Sequence, residues 1–363
     1  MSQTNKPISG LQISFMIILF EIGSVPLFHL GAKAKQDSWL AIGVGAAVGL
    51  VLLLLLLWLQ KRMPEMELTG MLRYGFGRIA GSVAGVLYFC YFAYESMRNV
   101  RDIGEMTALT LLRTTPIFIT MLIFLLIAGY ATWKGAEIIF RLPEILLPGL
   151  MLSYSLLIAL FFILKRADIR WLLPVAENGL LPIVQAALPD LISFPFGQMI
   201  VFLMVWPLWN GNGVPVRNTL WAYAAVSLFL VLMNVLNSAV LGPSLAANSI
   251  LPLLEASRAL VELKFIERLD ILVTIMIFVG LMIKILLYFY CAVEILANLT
   301  RLSAKWLIVL VIALIYSSAF LERNYTQHIA VGLGPSLKVD LLFQIVIPLV
   351  MAVSVALRQH FSS

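Results

Sequence analysis

Ten apolar runs, each about 17 to 30 residues long, fill most of this chain and leave little of it for a water-facing surface. They cover residues 11–31, 38–59, 82–111, 116–133, 142–164, 190–209, 219–240, 269–297, 304–320 and 340–357. About 20 such residues cross a hydrocarbon core as a helix, so the pattern predicts about ten transmembrane helices. The third and eighth runs are longer than the core is thick and must tilt or project from it. Only 12% of the 363 residues are charged, against the roughly 25% a soluble protein carries, and the mean hydropathy is +0.99. A soluble enzyme, a secreted domain and a disordered scaffold are excluded, and an all-α polytopic membrane protein is expected.

The net charge of +6 is scattered between the runs rather than gathered on one arm, which fits membrane anchoring and predicts no nucleic-acid partner. The apolar stretch from Leu11 to Gly31 is too long for a signal-peptide core, so it is expected to stay as the first span. Cys90 and Cys291 each lie inside an apolar run, and His29, His328 and His360 are dispersed. No disulfide framework, metal site or covalent catalytic motif is expected, and hence no enzyme and no cofactor.

An even number of spans puts both termini on one side. Counted over all segments Lys and Arg tie at eleven on each side; with the six in the two longest connections left out they favour termini inside, on the cytoplasmic face, by eleven to five. The two long connections, 165–189 and 241–268, mix leucines with charges at helical spacing and are expected to be amphipathic helices at the membrane surface. Residues 1–363 are therefore expected to form a single transmembrane domain.

Two runs are interrupted. Glu21 to Pro26 (EIGSVP) break the first, and Pro195 and Gly197 in SFPFGQ break the sixth, with Pro207 near its end. Unwound backbone at membrane depth is tolerated where it lines a cavity. Breaks five helices apart point to a five-plus-five inverted repeat, spanning about 11–164 and 190–357, with a substrate site at the midplane between broken helices 1 and 6. A free amino acid suits such a site, because half-helix ends offer N–H groups to its carboxylate and carbonyls to its ammonium.

Lys284 sits in the middle of the eighth run, where an ammonium costs on the order of 3 kcal/mol and needs an interior partner. Glu21 and Glu95 are the expected partners, and Glu21, Glu95 and Lys284 the expected ion-paired or proton-linked groups. On the third run, Glu95/Arg98, Arg98/Asp102 and Arg101/Glu105 are spaced to pair along one helix. Tyr91 and Glu95 are kept as site candidates, and Tyr288 shares the face of Lys284 one turn on.

Taken in order, EIGS at Glu21–Ser24, DSW at Asp37–Trp39, TTP at Thr114–Pro116, the Glu137–Arg141 segment, LLPVAENGLLP at Leu172–Pro182, SFPFGQ at Ser193–Gln198 and FIERLD at Phe265–Asp270 form a recognisable series. With these stretches the chain resembles the B subunits of bacterial spore germinant receptors, a branch of the amino acid/polyamine/organocation (APC) transporter superfamily. It carries Gln198 where many members have an acidic residue. The resemblance implies a leucine-transporter-type fold and residence in the inner membrane of a spore. It also implies a nutrient ligand, typically an amino acid, and assembly with a membrane-embedded A subunit and a lipid-anchored C subunit. In sodium-coupled relatives of this architecture a cation bridges the first and eighth helices, and the Lys284 ammonium is expected to stand in for it. The expected binding residues are Gly23 and Ser24 on the first break, Phe194, Phe196 and Gly197 on the sixth, Tyr91 and Glu95 on the third, and Lys284 and Tyr288 on the eighth. A proton-coupled amino acid permease is the alternative with the same fold and site.

Overall fold

With no water at membrane depth, a spanning segment must satisfy its own backbone, and each apolar run does so as a helix. The computed structural model describes residues 8–112, 114–249, 251–258, 269–300 and 302–362. The spans are α1 (Gly10–Ile22), α2 (Ser38–Arg62), α3 (Arg78–Thr110), α4 (Ile117–Lys134), α5 (Ala136–Ile163), α6 (Asp190–Met204), α7 (Val216–Leu241), α8 (Leu269–Thr300), α9 (Ala304–Ser318) and α10 (Tyr325–Gln359). Each overlaps one of the expected runs, but α10, at 35 residues, begins fifteen residues before the run expected at 340–357. Among the described residues, seven spans are long and apolar enough to cross a membrane by themselves, the first of them counted as Gly10–Leu27, and α6 forms a further bent span with the preceding helix Leu180–Ala187 at 42°. The α3 helix, with its polar second half, and α9, at 15 residues, fall outside that set. At 33 and 32 residues, α3 and α8 are the over-long helices expected.

The packing has a twofold form. The α1 and α2 helices pack with α6 and α7, and α3 and α4 pack with α8 and α9. The α5 helix leans on α1 as α10 leans on α6, and the broadest single contact joins α3 to α8. Corresponding helices of the two halves thus occupy corresponding places, as an internal repeat requires. The start of α1 is tied to the end of α6, where Ile8 N–H donates to the Leu208 carbonyl (3.0 Å) and Asn210 N–H to that of Ile8 (3.0 Å). Ser9 and Gln12 close a capping box at the head of α1.

In the first long connection, helix Leu180–Ala187 turns Ile183, Ala186 and Ala187 inward and leaves Leu180, Leu181 and Gln185 exposed. The same side of the molecule is laced by Lys33–Asp190 (2.8 Å) and by Ala176 N–H donating to Asp37 (2.9 Å). The second connection holds short helices at Pro243–Asn248 and Pro252–Arg258; its residues 259–268, including most of FIERLD, lie outside the described residues.

Candidate functional site

The α1 helix stops at Gly23, whose N–H donates to the Leu19 carbonyl (2.9 Å), and the chain turns away through Val25–Leu27. Glycine is needed at 23 because the opposing helix comes so near. A Cβ there would lie 2.6 Å from the Phe20 carbonyl oxygen and 2.7 Å from Cδ of Lys284. Opposite, Gly280 of α8 presents its bare Cα to the Gly23 backbone. The α6 segment breaks in the matching place: a single α-turn, Asp190–Ser193, gives way to extended Phe194 and then to a tighter 3₁₀ stretch, Phe196–Met204.

Lys284 is fully buried and lies between these breaks. Its stem packs on Gly23, and its Nζ donates to Oε1 of Gln198. Gln198 in turn donates from Nε2 to Oε2 of Glu95 at 3.2 Å, so one amide joins α8 to α3 through α6. The ammonium also lies over Phe194 (4.7 Å) and Phe20 (5.3 Å), whose negative ring faces favour it. The expected direct partners, Glu21 and Glu95, are thus corrected. With Gly23 packed against its stem, the side chain aims past α1 to the α6 break. Glu95 is reached only through Gln198. Glu21, fully buried, feels the Lys284 charge, yet neither of its carboxylate oxygens has a hydrogen-bond partner among the described residues.

Beside this hub lies a cavity of about 40 Å³ lined by Ser24, Glu95, Arg98, Phe194, Gln198 and Asp340, among others. That is room for a few water molecules and none for a free amino acid. Of the expected residues, Ser24, Glu95 and Phe194 line it, and Gly23 and Lys284 stand directly behind. The other four face elsewhere. Tyr91 stacks on Phe343 of α10 (4.6 Å, 3°) and accepts from Nε2 of Gln344 (2.8 Å). Gly197 lies against the same Gln344, and Phe196 packs on Gly45 and Gly49 of α2 and on Tyr223. Tyr288 is buried between Phe20 (5.1 Å) and Phe92 (5.8 Å).

The lining groups that are not among the expected binding residues include Gln198, Arg98 and Asp340. Gln198 was visible as the departure from an acidic residue. Arg98 was assigned to pairing along α3, and Asp340 marks the edge of an apolar run. The intrahelical pairs are corrected in part. Arg101–Glu105 forms (2.6 Å), whereas Arg98 turns to α10, donating to the His328 carbonyl (2.6 Å) and lying 3.5 Å from Glu322. His328, fully buried, bonds Asp102 through Nε2 (3.2 Å) and Glu322 through Nδ1. The Arg98 guanidinium lies on Gly332, where any side chain would displace it. The polar half of α3 therefore fastens the His328 region through Arg98 and Asp102 and neutralises itself only at Arg101–Glu105.

Solved structures match this architecture across most of the chain. One is a structure of Mhp1, a nucleobase-cation-symport-1 family transporter in a closed conformation with bromovinylhydantoin bound (TM-score 0.61, 14% identity, 94% of this chain and 80% of that one). Another is a Na⁺-coupled sialic acid symporter in a substrate-bound outward-open state (TM-score 0.63, 17% identity, 93% and 79%). The protein is a multi-pass integral membrane protein with the leucine-transporter-type fold of secondary transporters. Residues 7–328 match the model of the Spore_permease family, described as "Spore germination protein", and the chain belongs to that family. It is 28% identical over 345 residues to spore germination protein KB of Bacillus subtilis (strain 168), covering 94% of this chain and 92% of that protein.

Proposed function

We propose that this protein is the B subunit of a spore germinant receptor. In this reading it binds a nutrient, an amino acid by preference, between the α1 and α6 breaks and passes its change of state to membrane A and lipid-anchored C subunits in the spore's inner membrane, with both termini cytoplasmic. The observation that carries the reading is a small polar-lined cavity at two paired helix breaks in a chain of this family. Ser24, Glu95 and Phe194 contact the ligand, and Gly23 gives it the α1 backbone. Lys284, locked to Gln198, stands where a coupling cation would bridge α1 and α8. Phe196, Gly197, Tyr91 and Tyr288 hold the walls. Ligand stabilises one of two states, and the shift obtained equals its difference in affinity for them.

The transporter fold favours a second reading, a proton-coupled amino acid permease that uses Glu21, Glu95 or Lys284 as the titrating group. Uptake of a labelled amino-acid panel by proteoliposomes separates the two. Saturable counts that survive making the vesicles leaky mean binding without translocation and support the receptor. Accumulation that leakage releases means a permease. Binding that is unchanged in Ser24→Trp removes the cavity from either reading.

A further inference from the structure

Phe28 and Phe194, one beyond each helix break, meet edge to face with ring centroids 5.9 Å apart. Together with Leu333 and Leu337 they line both the central cavity and a second hollow of about 190 Å³, so these four side chains form a wall common to the two. At about 30 Å³ per water the second hollow has room for about six, the bulk of a small aliphatic amino acid. Leu30, Ala186 and Leu191 give it apolar sides. Its charged groups are Lys33 and Asp190, whose side chains are 73% and 37% exposed and pair at 2.8 Å. An exposed pair of this kind contributes little by itself, so both charges are free to turn to a ligand. His29 also lines the hollow, 9% exposed, and neither of its ring nitrogens has a hydrogen-bond partner among the described residues. The rim is held in shape by Gly31, which takes a left-handed conformation (φ 70°) where a Cβ would lie 2.9 Å from the Ser38 carbonyl oxygen.

An ammonium and a carboxylate side by side above apolar walls match one kind of occupant. A simple cation or anion takes one partner and strands the other, and an uncharged chain strands both; a zwitterion with an aliphatic side chain satisfies each in turn. We propose that this hollow is a second, outer binding site for a zwitterionic aliphatic amino acid, with the ligand's carboxylate on Lys33, its ammonium on Asp190 and its side chain against Leu30, Ala186 and Leu191. The place of the site in the path of the nutrient rests on the nutrient-binding reading. With both termini cytoplasmic the hollow lies on the opposite face, and a ligand meets it before the Phe28–Phe194 wall opens to the central cavity. Its charges being exposed, it holds ligand more weakly than the enclosed site and gathers rather than selects.

The test uses the full chain in lipid nanodiscs and photo-leucine, an aliphatic amino acid with a diazirine on its side chain, with adducts mapped by mass spectrometry. Adducts are expected in residues 29–33 and 186–191, suppressed by excess L-valine but not by isovalerate or isobutylamine, which each lack one of its two charges. In Lys33→Met this labelling should fall about threefold, the factor expected for loss of one exposed ion pair, and Lys33→Arg should retain it. Adducts in residues 95–102 report the central cavity separately. Label there with none in residues 186–191 overturns the outer site and leaves the nutrient-binding reading standing; the reverse pattern upholds the outer site alone. Suppression by either single-charge analogue as strong as that by L-valine, or full labelling of Lys33→Met, would make the hollow a solvent crevice and overturn the proposal.

Discussion

Lys284 is tolerated in α8 because its surroundings replace water piece by piece. A charge-assisted hydrogen bond contributes about 1.5–3 kcal/mol and a desolvated cation–π contact about 2 kcal/mol, comparable with the cost of on the order of 3 kcal/mol for an ammonium at a helix centre. Lys284→Met removes the donor from buried Gln198 and leaves Glu21 without a countercharge. It should destabilise the protein by about 3 kcal/mol, read as a lower thermal midpoint in detergent, and Glu21→Gln added to it should restore part of the loss. Unchanged stability and ligand binding at every pH would end the role given to Lys284.

At the level of elements, the two breaks work because glycine lets α1 and α8 touch. A Cβ at Gly280 would meet the Gly23 backbone, which has no rotamer to yield, so Gly280→Ala should cost about 1–3 kcal/mol. Gly43 on α2 has open space beside it, and Gly43→Ala should be neutral or stabilising by up to about 1 kcal/mol. Comparing their thermal midpoints isolates the close approach from helix propensity. Both breaks were legible, since Pro, Gly and Ser interrupt an apolar run in the sequence itself. The partners of α3 were not. Spacing finds neighbours on the same helix, which is how Arg98 came to be matched with Glu95 and Asp102. The partners it has, Glu322 and His328, are more than 220 residues away along the chain and reach it only when α10 docks on α3.

For the whole molecule, a cavity of about 40 Å³ at the breaks means that a nutrient requires the halves to part before it binds. A ligand selecting an opened state should raise the thermal midpoint with concentration. The gain approaches about 2.7 kcal/mol at a hundredfold excess over Kd, and Ser24→Trp should abolish it. A panel of amino acids screened by thermal shift, with the Trp variant in parallel, checks this and identifies the nutrient at once.

What the sequence by itself determined is whatever the bilayer enforces locally. Helices of fixed minimum length, breaks where Pro and Gly forbid helix, and a demand that Lys284 face inward all follow from desolvation acting on neighbours in the chain. Tertiary structure alone decided which groups answer that demand. Gln198 rather than a carboxylate receives Lys284, Tyr91 and Phe196 become wall instead of contact, and Asp340 joins the lining of the central cavity. The reason is that a side chain a few ångströms long meets whatever the packing of distant helices brings to it. Hydropathy carries no record of that packing.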